Sequence, residues 1–119
     1  MRDIALESHC EHHIVPIVGR AHVAYKPRRR AVGLSKIARM VEVFARRLQT
    51  QETMTAQIVD IIDDALQPEG VGVMIEAKHQ CMSLRGVRKP NVVTVTSKFT
   101  EVFLEDTGLH DRFVRMVRG

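Results

Sequence analysis

The sequence has no tryptophan, one tyrosine and four phenylalanines, so aromatic residues make up only 4% of it. A platform of rings for stacking single-stranded bases has little to build on. No apolar run approaches the roughly 20 residues of a membrane-spanning helix. The opening "MRDIALESHC" carries no hydrophobic stretch of the kind that marks a secretory leader. Neither nucleic acid nor membrane is therefore expected as a partner, and a soluble protein of the cytoplasm is. Cysteine is scarce too, limited to Cys10 and Cys81. In a reducing compartment, thiols close to histidines meet metal more often than they form a disulfide.

What remains is a chain of 119 residues, 45% hydrophobic and 27% charged, enough for one domain with a core of its own. Its 18 lysines and arginines against 14 acidic residues leave a net charge of +4. That balance suits a polyanionic ligand, whether nucleic acid, a nucleotide or a phosphorylated metabolite.

Two short extended segments, "HIVPIVG" and "RAHVAYKP", are expected first, with Val18-Gly19-Arg20 as the turn between them and Pro27 as the stop. The run Arg28, Arg29, Arg30 reads as a solvated connection. Ile37, Met40, Val41, Phe44 and Leu48 then recur at helical spacing, and Met54, Ile58, Ile61, Ile62 and Ala65 form a second stripe ending at Pro68-Glu69-Gly70. "GVGVMIEAKHQC" returns to a period of two, with Val71, Val73, Ile75 and Ala77 on one face. The same count puts His79 and Cys81 on that buried face. "NVVTVTSKF" predicts another strand, and "GLHDRFVRMVRG" a closing helix with Leu109, Phe113 and Val117 in register. The order strand, strand, helix, helix, strand, strand, helix describes an α+β domain, an antiparallel sheet with helices on one face. Its bare face and edges call for other subunits.

Chemistry concentrates first in "SHCEHH", Ser8 to His13. Cys10 and His13 stand three apart, a spacing that lets thiolate and imidazole reach one ion, and Cys81 offers a third soft ligand. Three such ligands with a fourth position left to water would make a catalytic zinc site. A closed staple with His9 or His12 as fourth ligand has the same composition, and spacing alone weighs the two equally. His12 and His79 favour the open site, because imidazoles beside an activated water are natural proton carriers near neutral pH. His22 and His110 are given no role. In "GLSKIAR", Ser35, Lys36 and Arg39 sit at a helix start where free N–H groups and cations can converge on a phosphate, although helix capping by Ser35 is the commoner use of such a motif. Glu52, in "QTQE", falls in the first turn of the second helix. The helix dipole favours a carboxylate there, and the same group could accept two hydrogen bonds from an amidine-like edge such as that of guanine. Arg85 reads as a plain surface arginine unless something places it near an anion.

Taken together and in order, "CEHH", "GLSKIAR", "QTQE" and "HQCMSLRG" closely resemble GTP cyclohydrolase I, over almost the whole chain. The resemblance implies the tunnelling fold (T-fold), in which sheets pack side by side into rings, and a homo-oligomer in which two pentamers stack into a decamer. It implies GTP as substrate, with formate and 7,8-dihydroneopterin triphosphate as products, at the entry to folate and pterin synthesis. By motif match, Cys10, His13 and Cys81 would hold Zn2+ and His12 and His79 would be the catalytic histidines. Gln51 and Glu52 would hold guanine, while Ser35, Lys36, Arg39 and Arg85 would hold the triphosphate. Residues 1–119 would form the single catalytic domain, without the helical region that the family carries ahead of it. Thr53, where a basic residue is usual, and Glu101, where glycine is common, depart from the family pattern. Another pterin or deazapurine enzyme of the same fold, such as a nitrile reductase with a cysteine nucleophile, is the second enzyme reading. A zinc-stapled binding module without catalysis is the third.

Overall fold

The computed structural model describes residues 2–10, 16–28, 34–45, 48–79 and 93–118, with the backbone alone for 6–10, 16, 17, 34, 44, 45, 48, 49 and 79. Strands β1 (Ile4–Cys10) and β2 (Pro16–Lys26) come first, then helix α1 (Leu34–Ala45), a two-residue strand β3 (Leu48–Gln49) and helix α2 (Gln51–Leu66). Strands β4 (Gly70–His79) and β5 (Thr94–Phe99), a single-turn helix α3 (Val102–Glu105) and helix α4 (Thr107–Arg118) complete the described chain. The sheet order is β3-β1-β2-β4-β5, antiparallel throughout except where β3 runs parallel to the end of β1.

The first hairpin differs from the sequence expectation. Val18, Gly19 and Arg20 do not turn; they lie inside one strand of eleven residues, and the partner strand β1 falls in the N-terminal stretch for which no strand was expected. Gly19 pairs with Leu6 on one side and Ala77 on the other. A side chain at Gly19 would run into the carbonyl of Glu76 and come within 2.6 Å of Ala77 Cα, so glycine here serves a close approach of two backbones.

The core forms where the two helical stripes meet the period-two face of β4. Val71, Val73, Ile75 and Ala77 are buried against Ile37 and Val41 of α1 and Met54, Ile58, Val59, Ile62 and Leu66 of α2, with Ala21 and Val23 of β2 beside them. Two stripe members depart from the pattern: Leu48 lies in β3 beyond the end of α1, and Ala65 is exposed while Leu66 turns inward. Ahead of Pro68, Gln67 closes α2 in the left-handed conformation (φ 46°, ψ 54°), its N–H on the Asp63 carbonyl at 2.9 Å.

Helices cover both sheet faces, not one. Gly72 points away from α1 and α2, and a side chain there would touch the rings of Phe99 and Phe103. Phe113 of α4 packs edge-on against both rings, at centroid distances of 5.8 Å and 6.3 Å. The far end of α4 reaches the opposite sheet edge, where Arg2 Nη1 donates to the Met116 carbonyl at 3.0 Å. α4 therefore crosses the second face. Toward the His79 end of β4 that face stays open, lined by Val18, Arg20, Glu76, Lys78 and Val93. Among the described residues no helix is long and apolar enough to cross a membrane.

Candidate active site

α2 starts at Gln51 because Thr50 holds extended backbone (φ −81°, ψ 159°) and its hydroxyl accepts the Thr53 N–H at 3.2 Å. The same hydroxyl donates to Thr53 Oγ1 at 2.8 Å. The next two residues meet opposite surroundings. Gln51 is 1% exposed, and its Nε2 lies 3.1 Å from the Ile75 carbonyl, 3.0 Å from the Thr94 carbonyl and 3.0 Å from Thr96 Oγ1. Two carbonyls, which only accept, fix the NH2 end of the amide toward the sheet. Glu52 is exposed, in the first turn as expected, and borders an open cleft of about 310 Å³ between α2 and β5. Thr55, Ala56, Thr96, Ser97 and Lys98 complete the lining. These five gave no signal in the sequence, apart from Thr55 standing one helical turn after Gln51.

Ser35 and Lys36 lie in the first turn of α1 and Arg39 one turn later; all three are exposed, on the side of the helix opposite buried Ile37 and Val41. They share a face, as a common anion would require, but none of them lines the cleft beside Glu52. Among the described residues the two groups do not line one pocket.

Of the expected metal ligands, Cys10 ends β1, where its backbone pairs with Gln49 of β3. His12, His13, Cys81 and Arg85 lie outside the described residues, and the backbone of His79 ends β4. Among the described residues no group of three His, Cys, Asp or Glu could hold a metal ion. Strand register nevertheless sets the ends of β1 and β4 level with each other. Ser8 pairs with Ile17 and Ile17 with His79, so β1 and β4, which run in the same direction, are level two residues before Cys10 and Cys81 respectively. Two inter-strand steps separate them, roughly 10 Å. Cys10 and His79 therefore end their strands at the same end of the sheet.

His22 lies apart from this end. It is 1% exposed, accepts the Asp3 N–H on Nδ1 at 3.1 Å, and holds Nε2 3.8 Å from Glu76 Oε1. Burial pushes its imidazole below the ordinary range, against the pull of the Glu76 and Asp3 carboxylates. Against a desolvation that would raise it, the Arg20 hydrogen bond and the charge of Arg2 hold the Asp3 carboxyl below its usual range.

The model of the GTP cyclohydrolase I family matches residues 1–118. The chain belongs to the GTP cyclohydrolase I family. It is 57% identical over 117 residues to GTP cyclohydrolase 1 of Maricaulis maris, which covers 98% of this chain and 57% of that protein. Identity to the Hyphomonas neptunium GTP cyclohydrolase 1 is 59% over 116 residues, covering 98% and 56% of the two chains. For the Sinorhizobium fredii protein of the same name it is 55% over 118 residues, covering 99% and 58%. The chain thus spans little more than half the length of these relatives. Among solved structures, the archaeosine synthase QueF-Like in the apo form superposes with a TM-score of 0.67 at 17% identity, over 81% of this chain and 86% of that one. At that identity the likeness shows the fold alone, which is the tunnelling fold.

Proposed function

We propose that residues 1–119 form the catalytic domain of a zinc-dependent GTP cyclohydrolase I, which hydrolyses GTP to 7,8-dihydroneopterin triphosphate and formate in the cytoplasm. The observation that carries this reading is the family match over residues 1–118, with all four motifs in order along the sequence. Cys10, His13 and Cys81 hold the metal, which supplies a Lewis acid able to bring a water into the ionisable range near neutral pH. His79, at the end of β4, gives a proton to the imidazole ring of the purine as it opens, and His12 moves protons in the later rearrangement. Glu52 accepts N1–H and the 2-amino group of guanine, on the turn that Gln51 anchors. Ser35, Lys36, Arg39 and Arg85 hold the triphosphate, a remote handle whose binding energy positions the reacting carbon.

Among the described residues the α1 cations do not line the Glu52 cleft, and a homo-oligomer, a decamer of two pentamers in the family's pattern, would complete the site. The deciding experiment is metal analysis alongside formate release from GTP. One zinc per subunit is expected, and Cys81→Ser should lose both metal and turnover. Equal turnover by metal-free protein, or zinc and activity retained in Cys81→Ser, would overturn the proposal.

A further inference from the structure

α2 packs on the sheet through an apolar stripe that meets β4 and β2, whereas at the turn that carries Glu52 its contact with β5 is polar. Thr55 Oγ1 donates to the Gln51 carbonyl at 2.8 Å, which uses its only proton. The 2.8 Å contact between Thr55 Oγ1 and Thr96 Oγ1 is therefore filled by the Thr96 proton, and Thr96 in turn accepts from Gln51 Nε2 at 3.0 Å, one of whose two protons it shares with a sheet carbonyl. The hydrogen bonds form a closed ring that leaves the Gln51 side chain, passes through Thr96 and Thr55, and returns to the Gln51 carbonyl. Adhesion does not need it, since Met54, Ile58, Val59 and Ile62 are fully buried on the same helix. What directional bonds add is a fixed rotation and height of the helix, which apolar contacts leave loose.

We propose that Thr55 and Thr96 are positioning residues: acting through Gln51, they hold the first turn of α2 on β5 so that the Glu52 carboxylate stands correctly in the cleft for a guanine edge. This rests on the reading of Glu52 given above. Both hydroxyls border that cleft but spend their protons inside the ring, so they act through Gln51 and not by touching the base. The ring therefore sets discrimination between bases and affinity, with less effect on the chemical step.

The test compares binding of GTP with that of inosine triphosphate, which lacks the 2-amino group, by titration calorimetry on the zinc-loaded protein. A charge-assisted hydrogen bond of this kind is worth about a tenfold preference for GTP in the unaltered protein. Glu52→Gln should erase that preference. Thr96→Val, equal in shape but without the hydroxyl, should lose most of it with KM raised more than kcat is lowered, and Thr96→Ser should keep it. A folded Thr96→Val that discriminates as well as the unaltered protein overturns the inference, as does a Thr96→Ser that fails like Thr96→Val, because the methyl would then be what matters. Should Thr96→Val not fold, Thr55→Val opens the same ring at its other hydroxyl and is read the same way. Absence of preference in the unaltered protein, or its survival in Glu52→Gln, overturns the Glu52 reading itself and this inference with it. That failure is visible before any threonine variant is measured.

Discussion

Glu101 shows how much one residue can carry against its own preference. It sits at φ 47° and ψ −116°, backbone that L side chains avoid, and its side chain makes no capping bond to α3. The sequence marked this position only by its departure from the family's glycine. We expect Glu101→Gly to raise stability by about 1 kcal/mol, seen as a thermal midpoint higher by several degrees. An unchanged or lower midpoint would mean that the side chain contributes more than the strain costs. Gln51 and Glu52 teach the same lesson in reverse, since adjacent residues of one motif divide into an anchor facing the sheet and a carboxylate facing solvent. A helix turns about 100° per residue, so neighbours in sequence look in different directions.

Among elements, the first hairpin departs most from the sequence expectation, and β2 shows why. A glycine between valine and arginine reads as a turn when only local preference is consulted, yet in a strand it marks a place where another backbone comes close. That approach, to Glu76 and Ala77 of β4, is fixed by a residue some 60 positions away and is invisible locally. Gly19→Ala should destabilise the protein by about 1–3 kcal/mol, because the obstacle is main chain and cannot swing aside. Chemical denaturation would check this, and a loss below about half a kcal/mol would show that β2 and β4 can separate without cost. The helices and β4 were legible because their apolar periods are long. The single turn of α3 and the two residues of β3 were not, being too short to carry a period.

For the molecule as a whole, α4 and the segment before β1 close over the second sheet face, and His22 is buried beneath that closure between Asp3 and Glu76. The groups facing it are Arg2 and Asp3 ahead of β1, Arg20 on β2 and Glu76 on β4. Its folded pKa lies below the ordinary 6.5, so below that pH the unfolded chain binds a proton that the folded chain refuses. Stability from this residue is therefore complete above about pH 6.5 and declines as the pH falls below it. Denaturation midpoints between pH 8 and pH 5 should show that decline, and His22→Gln should flatten it. An identical profile in the variant would assign the loss to carboxylates elsewhere.

Residue types and their order were enough for the family, and two thiols, clustered imidazoles and a cationic helix start were enough to raise the expectation of a metal and a phosphate. They were enough for the α+β order too, because burial imposes its period on any chain that folds. Nothing local could tell that Ser8 and His79 lie level across β2, that Gln51 turns into the sheet, or that α4 takes the second face. Those facts depend on pairings between distant residues, and such pairings are settled by the register of the sheet and the packing of helices upon it, when the chain closes on itself.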